Sequence, residues 1–141
     1  MTRPMPPSGA NPPTEMRTAI GAVIDLLPLA HETCRRYRDE FPDEAERYGP
    51  AGQAWCLHDN QYLFAWAIQD SRDHTVRLID QALWLADVLD KRGFPIERLA
   101  RNLEIAADVA THTPIQNELV AAIPQRLTAA ANAVRATATT I

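Results

Sequence analysis

Apolar residues recur at spacings of three and four along most of the chain, as they do on one face of an α-helix. The pattern predicts main helices over residues 14–41, 52–69, 71–92, 96–110 and 113–135, and a short acidic helix over 43–48. No segment alternates between apolar and polar residues with a period of two, so we expect no β-sheet. The predicted fold class is all-α, a single-domain bundle of five main helices plus a short connector helix.

Prolines and glycines divide this pattern. Residues 1–13 are rich in proline and small polar residues, which predicts a flexible leader before a helical bundle domain over 14–138. Pro28 and Pro124 fall inside predicted helices, where the proline ring clashes with the preceding turn. Pro28 is expected to kink its helix or to divide it in two, and Pro124 is expected to kink its helix. Gly93 is expected to end a helix in the left-handed conformation.

Composition and charge narrow the function classes. The chain has 141 residues, 46% of them hydrophobic, which is enough for one sizeable core. A net charge of -4 supplies no basic surface for a phosphate backbone, so we expect no nucleic-acid partner. Two cysteines are too few for a disulfide framework and favour a reducing compartment. The sequence shows neither a signal peptide nor a long apolar run, and predicts a cytoplasmic protein without a membrane span.

The predicted helix over residues 52–69 carries apolar residues on both sides, which is typical of a helix at the centre of a bundle. One side holds the rings of Trp55, Tyr62 and Trp66, with Asp59 in its middle. A buried carboxylate is costly unless it is paired or protonated, so Asp59 is expected to face a partner group. We predict that these four residues line an aromatic interior.

Residues 56–109 contain CLHD at 56–59, YL at 62–63, LWLADVL at 83–89, RGFP at 92–95 and the segment from Leu99 through Leu103 and Glu104. In this order they resemble the helical segment beside cobalamin-binding domains in some bacterial sensory regulators. The resemblance implies a sensory bundle that binds a small hydrophobic or tetrapyrrole-like ligand or a protein partner. It also implies that the ligand-binding site lies at Trp55, Asp59, Tyr62 and Trp66. The chain departs from the family in lacking the Asp-x-His-x-x-Gly turn and the α/β domain that supply the lower axial ligand of cobalamin. The cofactor is therefore unknown.

A metal-dependent enzyme is the alternative. His31, the pair His58-Asp59 and the distant Asp108 follow the order of ligands in the HD family of all-α phosphohydrolases, which this set resembles. His31 is expected on the inner side of its helix, His58 at the edge of the aromatic face, and Asp108 off the inward face. Imidazole and carboxylate ligands suit a divalent transition metal that lowers the pKa of bound water.

A zinc site from His31, Cys34, Cys56 and His58 is a further alternative. Cys56 and His58 diverge by about 200° around a helix, so both reach one ion only if the helix is broken. Two buried, neutral cysteines explain the sequence better. No metal is therefore predicted in the leading interpretation.

Trp84 and Val88 fall on the polar side of the predicted helix over residues 71–92. Large exposed aromatic side chains are enriched in protein interfaces, so these two residues predict a homo-oligomer or a protein partner. The alternative is that another part of the same chain covers Trp84. The leading interpretation is a non-catalytic regulatory module, with the phosphohydrolase as the alternative.

Overall fold

The computed structural model describes residues 7, 11–19, 21–112 and 122–138, and helices dominate this part of the chain. Its elements are β1 (Glu15–Arg17), β2 (Val23–Asp25), α1 (Leu26–Glu40), α2 (Asp43–Arg72), α3 (Leu78–Lys91), α4 (Ile96–His112) and α5 (Ala122–Ala138). The predicted all-α bundle of five main helices is confirmed. Most of the predicted leader and the predicted helix start at residue 113 lie outside the described residues. A kink at Pro124 stays a prediction, because the residues before α5, 113–121, lie outside the described ones.

The prediction of a helix over residues 14–25 is wrong, and so is the expectation that the chain forms no sheet. Glu15–Arg17 and Val23–Asp25 instead pair as antiparallel strands, in which Met16 lies opposite Ile24 and both side chains turn toward the core. Gly21 makes the turn with a φ of 83°, and its N–H donates to the carbonyl of Thr18. Strands of three residues are too short for their alternation to stand out in a sequence.

Helix α1 begins later than predicted, and one residue that was expected on its inner side is exposed. Asp25 caps it by accepting the N–H of Leu27 at 3.2 Å. Pro28 therefore lies in the first turn, where its missing N–H needs no acceptor, and the predicted kink at Pro28 is wrong. The helix turns Ala30 and Cys34 into the core and leaves His31 exposed, so the predicted inward position of His31 is also wrong.

Helix α2 consists of two helical stretches that meet at Gly49. This glycine is buried and has a φ of 63° and a ψ of -160°, which side-chain-bearing residues rarely adopt. The predicted break between the connector helix and the aromatic helix is confirmed. Helix α2 packs against α1, α3, α5 and β1, so its central position is confirmed as well.

The predicted helix start at Asp70 and Ser71 is wrong, because α2 continues past both residues. Asp70 nevertheless caps the next helix from a distance in sequence. Its Oδ2 accepts the N–H of Leu78, the first residue of α3, at 2.9 Å. Its Oδ1 lies 3.2 Å from Nδ1 of His74 and 3.4 Å from a guanidinium nitrogen of Arg126 in α5. One carboxylate thus joins three helices.

The helices enclose one apolar core. Its largest fully buried apolar side chains come from α1 to α5: Leu26, Leu63, Phe64, Ile68, Leu78, Leu103, Leu127 and Val134. Gly93 ends α3 with a φ of 80°, and the N–H of Phe94 donates back to the carbonyl of Leu89. This is the left-handed helix end that the sequence predicts.

Candidate functional site

Four ring side chains on α2 form one continuous row, which we call the aromatic stripe: Trp55, His58, Tyr62 and Trp66. Successive ring centroids lie 5.0, 5.1 and 5.5 Å apart. Spacings of three and four residues place the rings along one line of the helix, about 16 Å long. All four residues are half-buried, so one edge of the row is open to solvent.

The aromatic stripe lies on the outer side of α2. The rest of the helix circumference packs inward, as the buried residues Leu63, Phe64 and Ala67 show. The shared face of the aromatic residues is as predicted, and Trp66 packs against the core, but the rings are half-buried and do not line a fully enclosed interior. His58 was expected at the edge of this face, but it lies within the row between Trp55 and Tyr62. The arrangement is a half-buried row of rings.

Asp59 lies beside the middle of the aromatic stripe and is held by its neighbour. Nδ1 of His58 is 3.0 Å from Oδ1 of Asp59, and the Asp59 side chain is 25% exposed. Burial raises the pKa of Asp59, while His58 and the charge of Arg92 act in the opposite direction. The partner group expected for Asp59 is therefore the imidazole of His58, with Arg92 acting through its charge.

A second apolar group lies on α3. Trp84 is 58% exposed, and Val88 is half-buried. The predicted exposure of Trp84 is confirmed. Trp84, Val88 and Arg92 follow one another at intervals of four residues, and Arg92 acts electrostatically on Asp59. Arg92, at the C-terminal end of this side of α3, is therefore near the residue beside the aromatic stripe.

The four residues of the predicted phosphohydrolase site do not come together. Among the described residues, no three His, Cys, Asp or Glu side chains converge on a position that could hold a metal ion. His31 is exposed on α1, and Asp108 is exposed on α4, where Arg36 pairs with its carboxylate at 2.6 Å. His58 and Asp59 pair with each other on α2. The metal-ligand order seen in the sequence is not a cluster in the fold.

The alternative zinc set of His31, Cys34, Cys56 and His58 is not assembled either, because no three ligating side chains converge within the described ranges. Cys34 is buried, as the sequence predicts, whereas Cys56 is only half-buried. His31 faces solvent and His58 belongs to the aromatic stripe. Only the two cysteines of this set lie close to a common group, the amide of Asn60.

A buried polar cluster lies between α1, α2 and α4 and was not predicted from the sequence. Asn60 and Asn102 exchange side-chain hydrogen bonds of 3.1 and 2.9 Å, and both are almost completely buried. The Asn60 amide nitrogen also lies 3.6 Å from Sγ of Cys34 and 3.5 Å from Sγ of Cys56. The available signal was an asparagine on the apolar side of each of two helices.

Comparison with known proteins identifies no family for this chain. No family model, curated protein or solved structure matches the chain. The resemblance to the helical segment of cobalamin-dependent regulators therefore stays a prediction. No helix in the described ranges combines the length and apolar character needed to cross a bilayer.

Proposed function

We propose that this protein is a non-catalytic regulatory module that binds a protein partner through a surface made of the aromatic stripe and Trp84, and that a second copy of the chain is such a partner. The observation that carries the proposal is the row of four contacting, half-buried rings on α2, together with the exposed Trp84 on α3. The regulatory role rests on the sequence resemblance alone. A cytoplasmic location and the lack of a nucleic-acid partner stay predictions from composition.

The residue types favour a protein interface. Tryptophan and tyrosine dominate binding energy at interfaces, because they bury a large area with few rotatable bonds. The aromatic stripe supplies two tryptophans and a tyrosine, and Trp84 adds a third tryptophan that is 58% exposed. A large exposed ring gains most from the hydrophobic effect when a partner covers it.

The shape of the surface favours a protein segment over a small ligand. The aromatic stripe runs along about three turns of α2. Its rings are half-buried and contact one another edge to face or at a tilt. A partner helix laid along the row contacts all of the rings, whereas a small hydrophobic or tetrapyrrole-like ligand favours a concave site that encloses it.

Charge favours a second copy of this chain. Asp59 is acidic and partly exposed, and the basic, exposed Arg92 lies near enough to influence its ionisation. A two-fold axis brings the same surface of two copies face to face. An axis that passes between these two side chains sets Asp59 of one copy opposite Arg92 of the other, so such a dimer is complementary in charge as well as apolar.

Changing Trp84 to glutamate is expected to abolish self-association without unfolding the chain, because a charge replaces an exposed apolar side chain. Sedimentation velocity at several protein concentrations measures the mass. We expect the unchanged protein to sediment well above its monomer mass of 15.7 kDa and Trp84→Glu to sediment at that mass. Circular dichroism checks that the variant is helical.

Val23→Glu is the matched control, because Val23 is the other large hydrophobic residue exposed in the described ranges and lies on the hairpin. We expect it to sediment like the unchanged protein. A monomer at every concentration would overturn self-association. An equal effect of both substitutions would assign the loss to added charge and not to the proposed surface.

A further inference from the structure

Cys34 of α1 and Cys56 of α2 face the same amide group. Nδ2 of Asn60 lies 3.6 Å from one sulfur and 3.5 Å from the other. Both cysteines are free thiols. Two thiols from different helices are therefore neighbours inside the bundle, beside the Asn60–Asn102 pair.

The contacts of the two sulfurs with Asn60 are weak. An amide nitrogen carries two hydrogens, and closer oxygens compete for them. Nδ2 of Asn60 lies 2.9 Å from the carbonyl oxygen of Cys56 and 3.1 Å from Oδ1 of Asn102. Joining the two sulfurs thus leaves the two stronger hydrogen bonds of the cluster intact.

The environment divides the two thiols into an attacking and a resolving partner. A hydrogen bond from the Cys56 thiol lowers the pKa of Cys34 against the effect of burial, and the charge of Arg38 lowers it further. The same hydrogen bond and burial raise the pKa of Cys56. Asp59 opposes ionisation of both thiols. Cys34 is therefore the better thiolate of the pair.

We propose that Cys34 and Cys56 form a peroxide-reactive dithiol that closes to a disulfide between α1 and α2. The Cys34 thiolate attacks one oxygen of a hydroperoxide, the O–O bond breaks, and the leaving oxygen takes up the proton that Cys34 released. Cys34 becomes a sulfenic acid. The Cys56 sulfur then attacks the Cys34 sulfur, the S–O bond breaks, and the hydroxyl leaves as water with the Cys56 proton. Two thiols are oxidised and one hydroperoxide is reduced.

The burial of the two sulfurs limits which oxidants can reach them. Cys34 is 2% exposed, and Cys56 is half-buried and packs against the core, so access to the two sulfurs is narrow. Hydrogen peroxide is close to water in size, whereas a protein disulfide or a bulky lipid hydroperoxide cannot approach Cys34 without opening the helices. The reaction is independent of the proposed docking function, although Cys56 directly follows Trp55 of the aromatic stripe.

The test treats the reduced, folded chain with hydrogen peroxide and measures its intact mass. We expect the mass to fall by two hydrogen atoms, and proteolytic mapping to recover a peptide containing Cys34 linked to one containing Cys56. Retention of both thiols would overturn the proposal. Oxidation that gives only sulfinic acids or disulfides between chains would overturn it too.

Two variants assign the roles of the cysteines. Cys56→Ser removes the resolving thiol, so we expect Cys34 to accumulate as a sulfenic acid that dimedone traps. Cys34→Ser leaves Cys56 alone, with burial and Asp59 still raising its pKa, and we expect at least tenfold less dimedone adduct in the same time. The reverse order of labelling would contradict the assignment of Cys34 as the attacking thiol, and the unchanged chain tests the disulfide without any variant.

Discussion

Replacing Asn102 with leucine is expected to lower the free energy of unfolding by about 3 kcal/mol. Leucine matches the branching of asparagine but offers neither a donor nor an acceptor. The change removes two hydrogen bonds, of 3.1 and 2.9 Å, and leaves the carbonyl oxygen of Asn60 without that donor. Asn60 is only 1% exposed, so water does not replace the lost partner readily. Urea unfolding followed by circular dichroism measures the loss.

A double-mutant cycle separates the hydrogen-bond contribution from the packing contribution. Asn60→Leu is expected to cost about as much as Asn102→Leu, because each single change strands the other amide. The double variant has two apolar side chains of similar size facing each other, so its loss is expected to fall short of the summed single losses by at least about 1 kcal/mol. Additive losses would show that the two amides do not depend on each other.

Replacing Asp70 with alanine is expected to destabilise the protein by about 3 kcal/mol, because it removes a helix cap and buried charge-assisted hydrogen bonds together. The carboxylate accepts the first N–H of α3 from Leu78 and also meets His74 and Arg126. Asp80→Ala is the matched control, since Asp80 is an exposed carboxylate in the first turn of the same helix. We expect the control to lose much less stability in the same urea titration.

The effect of Asp70 depends on pH with a definite sign. Burial opposes ionisation of Asp70, but the N–H of Leu78, His74 and Arg126 outweigh it and hold its pKa below the ordinary value. The stabilisation is therefore complete above the pKa of an unfolded aspartate, about 3.9, and is lost as the pH falls below it. The difference in free energy of unfolding between the unchanged protein and Asp70→Ala should shrink as the pH falls below the pKa of an unfolded aspartate. A constant difference down to the lowest pH at which both fold would contradict this role.

The helices of this protein are predictable because their signals are local. Gly49 and Gly93 mark helix ends by their own conformational freedom, and both ends are confirmed. The hairpin is not predictable in the same way, because each of its strands has only three residues and the pairing of Met16 with Ile24 spans a turn. The predicted kink at Pro28 was wrong for a related reason. A proline kinks a helix interior but fits a first turn, and only the hairpin shows where α1 begins.

Part of the candidate site is predictable from the sequence. Helical spacing places Trp55, Tyr62 and Trp66 on one face, and the structure confirms that shared face. The spacing does not say whether that face is inward or outward, because α2 is apolar on more than one side and its burial depends on neighbouring helices. The Asn60–Asn102 pair joins residues 42 positions apart, so no local pattern reveals it.

The most direct test of the proposed docking surface is a photocrosslink from the aromatic stripe. A photoreactive phenylalanine derivative replaces Tyr62 in one variant and Gln125, an exposed residue of α5, in the control. Irradiation of the purified proteins is expected to give a covalent dimer from position 62 and little from position 125. Mass spectrometry is expected to place the link on α2 or α3 of the second copy. No dimer from position 62, or equal dimer from both positions, would contradict the account.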